Sequence, residues 1–148
     1  MSLANTKQVD GNHYQPKIGT LQVWDWIEEN GLGYLEGCAI KYICRCNAKY
    51  SSPKADLEKA VHYLEKFIEL IDKGVRKPRQ LNRQVTYFGV KDVCDAYELD
   101  DQLFEILFFI FYWDSDGDLG VQSTSNDIKT AIKLLKEYIK NHDSAATI

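Results

Sequence analysis

The chain has 148 residues, of which 45% are hydrophobic and 12% aromatic, so it can bury a sizeable core and is not intrinsically disordered. Its net charge of -4 gives no general argument for binding nucleic acid. No apolar run approaches the roughly 20 residues that cross a bilayer. The sequence does not start with a secretory-signal pattern, so we expect a cytoplasmic protein whose four cysteines are free thiols.

Three helices are predicted in the first half of the chain. The first runs from Thr20 to Asn30 and ends at a glycine, which is a typical C-terminal signal. The second runs from Tyr34 to Asn47 and contains Gly37, which predicts the close approach of a neighbour or a ligand. The third begins with Ser52-Pro53, a capping serine and a proline at the first helical position, and ends before Gly74.

The second half repeats the apolar pattern of the first. At an offset of 67 residues Leu32 aligns with Leu99 and Ile43 with Ile110, and beyond a longer loop Leu64 aligns with Leu135. We therefore predict an all-α fold, with two tandem, degenerate copies of a three-helix unit packed as one helical bundle. The predicted first unit covers residues 1–74, a basic linker covers residues 75–85, and the second unit covers residues 86–148.

The two copies differ in their polar residues. In the second copy, aromatic, apolar or uncharged residues replace the polar residues of the first: Phe108 for Lys41, Tyr112 for Arg45, Thr130 for Lys59 and Leu134 for Tyr63. The middle helix of the second unit, Leu103 to Trp113, is apolar nearly all round. Two interpretations stay open for it, a core element with no free face or a contact that joins subunits of a homo-oligomer.

Charged residues at helical spacing predict a cationic face in the first unit. Lys41 and Arg45 lie one turn apart on the second helix, while Asp56, Lys59 and Tyr63 share a face of the third. A short loop between the helices would bring these faces together. Lysine and arginine suit an anion such as phosphate, and tyrosine could stack on a base. The alternative is an ordinary solvated face, with the cations paired to nearby carboxylates.

Other motifs give weaker indications. The sequence contains no P-loop. Two carboxylate pairs, Asp25/Glu28 and Glu69/Asp72, have the spacing of the magnesium ligands in helical, MazG-like nucleotide pyrophosphohydrolases, although they do not match the pattern cleanly. The acidic stretch at residues 114–118 is a predicted turn, because its glycine and its missing glutamate do not fit an EF-hand. These motifs by themselves predict no metal ligands.

An ordered set of residues resembles a known family. The set comprises His13-Tyr14, Trp24-Asp25-Trp26-Ile27, Gly31-Leu32, the segment from Gly37 to Arg45, Lys49 and the segment from Asp56 to Leu64. It is similar to a small phage protein family, long a domain of unknown function, that includes the deoxynucleoside monophosphate kinase of T-odd podophages. Cys38 departs from the family pattern, which usually has asparagine there.

The resemblance implies phosphoryl transfer to deoxynucleoside monophosphates in the cytoplasm of a phage-infected or prophage-bearing host. It implies Mg²⁺ with a nucleoside triphosphate donor, and nucleotide as the partner rather than nucleic acid or membrane. We expect Lys41 and Arg45 to contact phosphate and Asp56 to hold magnesium or orient the acceptor. The expected substrate-binding residues are His13, Tyr14, Tyr42, Lys49, Lys59 and Tyr63. The alternative from a different class is a non-catalytic nucleotide binder that acts as a sponge or regulator.

Overall fold

The protein is described by a computed structural model that covers residues 22–29, 31–48, 52–75, 90–111 and 120–146. These residues form six helices and no strand, which confirms the all-α prediction. The helices are α1 (Val23–Glu29), α2 (Tyr34–Arg45), α3 (Pro53–Asp72), α4 (Val90–Tyr97), α5 (Asp101–Phe111) and α6 (Gly120–Ala146). No helix within these ranges is long and apolar enough to cross a membrane.

The predicted limits of the third helix are confirmed. The Ser52 hydroxyl accepts a hydrogen bond from the Ala55 amide at 3.3 Å and caps α3, and Pro53 occupies its first position. Gly74, just past the end, has a φ of +74°, a conformation that glycine adopts without strain. In contrast, α2 ends at Arg45, two residues before the predicted Asn47, because its final turn tightens.

The antiparallel pair α2 and α3 forms the scaffold of the first half. Arg45 at the end of α2 lies against Asp56 in the first turn of α3, whereas Tyr34 at the start of α2 lies against Tyr63 farther along α3. Between the helices the apolar stripes of both are fully buried: Ala39, Ile40 and Ile43 from α2, and Leu57, Ala60 and Leu64 from α3. Lys41 and Lys59 are therefore directed along the outer edge of this pair, whereas Glu36 and Asp56 are buried.

Gly37 is the point where α1 meets α2. A Cβ atom added at Gly37 would lie 3.1 Å from Cγ2 of Ile27 in α1, which is closer than ordinary van der Waals contact. The expected close approach is thus to a neighbouring helix. The left-handed Gly31, with a φ of +65°, reverses the chain between the two helices.

The second half repeats the helix spacing of the first. Helix α4 begins at Val90, 67 residues after Val23, and α5 begins at Asp101, 67 residues after Tyr34. Helix α6 packs on α3 and joins the halves into one bundle, and α2 also contacts α4 and α5. The equivalent apolar positions of both halves lie in the same core. A common origin of the two halves stays a prediction.

Helix α5 is only partly enclosed. It packs against α2, α4 and α6 through five buried side chains: Leu103, Ile106, Leu107, Ile110 and Phe111. On its other side Phe104 is 37% exposed and Phe108 is 46% exposed. The interpretation of this helix as a core element with no free face is therefore wrong. The three neighbouring helices cover one side of α5 and leave an aromatic pair at the surface.

Candidate functional site

Two lysines from different helices lie beside one aromatic ring. The Lys41 ammonium of α2 is 5.4 Å from the centroid of the Tyr42 ring, and the Lys59 ammonium of α3 is 5.2 Å from the same centroid. Both distances are within the range of cation–π attraction. The structure thus brings together the two cationic faces that the helical spacing placed on α2 and α3. We call Lys41, Tyr42, Lys59 and Tyr63 the lysine–tyrosine face.

Three tyrosines form the aromatic part of this region. The rings of Tyr42 and Tyr63 are stacked, with centroids 5.8 Å apart and an interplanar angle of 19°. Tyr34 meets Tyr63 edge-on at 6.1 Å and is 72% exposed. A hydrogen bond with Tyr34 raises the pKa of the Tyr63 phenol, and partial burial adds to the effect. The Tyr63 phenol therefore stays protonated at neutral pH.

Tyr34 is a residue that sequence reasoning missed. It begins α2, and positions 34, 38, 41 and 45 follow one helical face, so the spacing could have placed it beside Lys41. Its contact with Tyr63, however, depends on how α2 and α3 pack. That information is not present in the periodicity of either helix alone.

Arg45 and Asp56 form an ion pair at one end of the lysine–tyrosine face. Arg45 Nε lies 3.6 Å from Asp56 Oδ1, and the two side chains are 26% and 4% exposed. The second carboxylate oxygen, Asp56 Oδ2, is buried and accepts no hydrogen bond from any residue that the structure describes. Asp56 is therefore the more deeply buried partner of the ion pair, and it restricts the position of the Arg45 guanidinium.

This position does not fit Asp56 as a magnesium ligand. Magnesium is usually bound by one or two carboxylates together with several waters and substrate phosphates, so its carboxylate ligand needs open space beside it. Asp56 is nearly inaccessible and already pairs with a cation. Any Mg²⁺ in a reaction would thus have to enter with the phosphates of its nucleotide.

Two hollows adjoin the lysine–tyrosine face. The larger, about 980 Å³, runs along the outer side of α3; we call it the α3 groove. Tyr42, Lys59 and Tyr63 line it together with charged side chains that include Glu58 and Lys66. The smaller, about 340 Å³, lies between α1 and α2; we call it the α1–α2 cavity. Lys41 lines this cavity and Lys59 lines the α3 groove, so one lysine of the pair borders each of the two hollows.

The remaining predicted site residues are not all placed. His13, Tyr14 and Lys49 lie outside the described residues. The carboxylate pair at the end of α3 has other partners, because Glu69 forms ion pairs with Lys66 and Lys73, and Asp72 accepts a hydrogen bond from Ser125. Among the residues that the structure describes, no three His, Cys, Asp or Glu side chains gather into a possible metal site.

The first part of the chain matches a protein family. Residues 9–65 match the model of a family described as a protein of unknown function, DUF3310. The matched segment contains α1, α2 and the first part of α3, and therefore the whole lysine–tyrosine face. No curated protein and no solved structure matches the chain. The similarity to DUF3310 covers less than half of the chain, includes the cationic face and assigns it no activity.

Proposed function

We propose that this protein binds deoxynucleoside monophosphates at the lysine–tyrosine face and transfers a phosphoryl group to them without a P-loop. The observation that carries the proposal is the pair of ammonium groups, from α2 and α3, beside the single ring of Tyr42. The resemblance of the same residues to the podophage kinase family supports the choice of substrate.

The arrangement suits a phosphate for an electrostatic reason. Two like charges beside one ring repel each other, and an anion bound between Lys41 and Lys59 converts that repulsion into two attractions. Arg45, held by Asp56, adds a guanidinium one turn farther along α2. Its planar donors match phosphate oxygens, and the ion pair with Asp56 limits the entropy it loses on binding.

Phosphoryl transfer requires mainly positioning and charge neutralisation, which such a face supplies. In this proposal Lys41 and Lys59 hold the phosphate of the acceptor and offset the charge that develops as the γ-phosphoryl group moves to it. An oxygen of the acceptor phosphate bonds to the γ-phosphorus of the nucleoside triphosphate, and the bond from that phosphorus to the β–γ bridging oxygen breaks. The donor leaves as a nucleoside diphosphate, and the acceptor becomes a deoxynucleoside diphosphate. Asp56 is assigned a positioning role, because it touches Arg45 and is buried away from the face.

The test is an assay of the purified full chain with dAMP, dCMP, dGMP or dTMP, each with ATP and Mg²⁺. The product is the matching deoxynucleoside diphosphate. In a Lys41→Ala/Lys59→Ala variant we expect at least about a hundredfold loss of kcat/KM, since two charge-assisted contacts are removed. Diphosphate formation at an unchanged rate in that variant would overturn the proposal.

A matched control is available on the second half of the chain. Lys91 on α4 and Lys129 on α6 are both exposed. The Lys91→Ala/Lys129→Ala variant removes the same charge from the protein and leaves the lysine–tyrosine face intact. We expect it to keep wild-type kinetics, which separates a specific site from an effect of net charge.

One observation favours a second candidate, a non-catalytic nucleotide binder. Asp56, the carboxylate of the predicted site, is 4% exposed and paired with Arg45, so it is poorly placed to orient an attacking oxygen. A binder that acts as a sponge or regulator needs only the cations and the tyrosines. The non-catalytic binder would be supported by two results together. Nucleotide binding would require Lys41 and Lys59, and no diphosphate would form from any of the four monophosphates.

A further inference from the structure

The α1–α2 cavity differs in chemistry from the α3 groove. Its walls are mainly apolar or small groups, namely Ile27, Leu32, Gly33, Gly37 and Cys38, with one carboxylate, Glu28. The α3 groove is lined mainly by charged and polar side chains, including Glu58, Lys59, His62, Glu65, Lys66 and Glu69. A flat ring gains more from leaving water for apolar walls than for a charged surface.

The cavity also has a cation at one edge. Lys41 lines it, and the same lysine lies 5.4 Å from the ring of Tyr42 on the lysine–tyrosine face. A ligand with an apolar ring in the cavity would therefore place an attached anionic group next to Lys41. The volume of about 340 Å³ lies at the small end of the range for ligand pockets.

We propose that the α1–α2 cavity holds the base of the nucleotide whose phosphate is bound at Lys41 and Lys59. This inference rests on the proposed nucleotide binding and goes beyond it by assigning the base to one of the two hollows. Cys38 forms part of the cavity wall and is 8% exposed, while Ile27 of α1 forms the opposite wall. The sizes of these two side chains set the space available to the base.

The close approach of α1 to α2 keeps this cavity narrow. Because Gly37 has no side chain, Ile27 packs within 3.1 Å of the position a Cβ would take. The two helices thus hold the cavity walls at a fixed separation. Exposed Tyr34, at the mouth of the cavity, can cover one face of a bound ring.

The experiment compares a deoxynucleoside monophosphate with deoxyribose 5-phosphate, which has the same phosphate and sugar and no base. Binding of both to the full chain is measured by calorimetry. The dissociation constant of deoxyribose 5-phosphate divided by that of the nucleotide reports the contribution of the base. In the wild type we expect a ratio of about ten or more, in line with the burial of one aromatic ring. Failure of both probes to bind would reject the proposed function and this inference together.

The variants then locate the base. Cys38→Leu fills the cavity and is expected to bring the ratio close to one, with the dissociation constant for deoxyribose 5-phosphate unchanged. Cys38→Ser, which keeps the size of the side chain, is expected to keep the wild-type ratio. Ile27→Ala alters the opposite wall without touching the tyrosines, and we expect it to lower the ratio about threefold or more.

Two results would overturn the assignment while leaving nucleotide binding intact. The first is an unchanged ratio in both Cys38→Leu and Ile27→Ala. The second is a ratio that falls close to one in Tyr63→Ala and in no other variant, which would place the base on the stacked tyrosines. If Cys38→Leu does not fold, Ile27→Ala decides between the two hollows.

Discussion

Arg45 at the end of α2 and Asp56 in the first turn of α3 are joined by an ion pair with 3.6 Å between Nε and Oδ1. The pair closes one end of the helix pair that carries the lysine–tyrosine face. Asp56 is 4% exposed, so its charge is stabilised by Arg45 and by the positive end of the α3 dipole rather than by water. This contact makes Asp56 a structural determinant of the site.

Asp56→Asn should therefore destabilise the fold. The substitution removes the charge and leaves Arg45 without this carboxylate, at a cost of about 1–3 kcal/mol in the free energy of unfolding. Urea unfolding measures the loss, and a double-mutant cycle with Arg45→Ala isolates the pairwise part. Additive effects of the two substitutions would show that the ion pair contributes nothing.

The effect of Gly37→Ala on stability should change sign when Ile27, the α1 residue that faces it, is replaced by alanine. In the wild type the new methyl group meets Cγ2 of Ile27 at 3.1 Å, and we expect a loss of about 1–2 kcal/mol from overpacking. In an Ile27→Ala background that clash is absent, so the higher helix propensity of alanine should stabilise α2 by up to about 1 kcal/mol. Thermal unfolding of the four proteins in this cycle checks both signs. The same sign in both backgrounds would contradict the packing described for α1 and α2.

Stability should fall at alkaline pH because of Cys94. Burial, the largest cause, and the nearby carboxylates of Asp95, Asp100 and Asp101 together raise the pKa of this thiol from 9.0 to about 12. The folded state then holds the proton more tightly than the unfolded chain, so the stabilising contribution is complete below about pH 9 and is lost as the pH rises toward 12. One such group changes the free energy of unfolding by at most about 1.4 kcal/mol per pH unit.

The measurement is urea unfolding of the wild type and of Cys94→Ala between about pH 8 and pH 10.5. Burial also raises the pKa of Cys44, so part of the slope should remain in the variant. We expect Cys94→Ala to have a shallower dependence on pH than the wild type. Parallel curves for the two proteins would mean that Cys94 ionises equally easily in both states.

The exposed aromatic pair on α5 is the proposed contact between subunits. Phe104 and Phe108 lie one turn apart on the side of α5 that α2, α4 and α6 leave open. In analytical ultracentrifugation we expect the wild type to sediment as an oligomer and the Phe108→Glu variant to sediment as a monomer. Trp24→Glu on α1 is the matched control, since Trp24 and Phe108 are each 46% exposed. A monomeric wild type would reject the contact.

The sequence was sufficient for features that depend on local chemistry. Ser52, Pro53 and Gly74 fixed both ends of α3, and the spacing of Lys41 and Lys59 placed each lysine on the outer face of its helix. Features that depend on how helices pack were not predictable in this way. The contact of Tyr34 with Tyr63, the burial of Asp56 and the cavity between α1 and α2 all arise from the relative placement of neighbouring helices.

The same distinction explains why the interpretation of α5 as a core element with no free face is wrong. Its composition is apolar nearly all round, which suggests burial on every side, yet the described helices cover only part of its surface and leave Phe104 and Phe108 exposed. Periodicity shows which residues share a face and does not show how many faces are covered. Phe104 and Phe108 are exposed for that reason.

The central claim is that Lys41 and Lys59 bind one phosphate together, and a double-mutant cycle tests it most directly. The dissociation constant of whichever deoxynucleoside monophosphate (dAMP, dCMP, dGMP or dTMP) binds the wild type most tightly is measured for the wild type, Lys41→Ala, Lys59→Ala and the double variant. We predict that each single substitution weakens binding at least about tenfold and that the double variant loses less than the product of the two, because both ammonium groups contact the same anion. Unchanged binding in the double variant would contradict the claim.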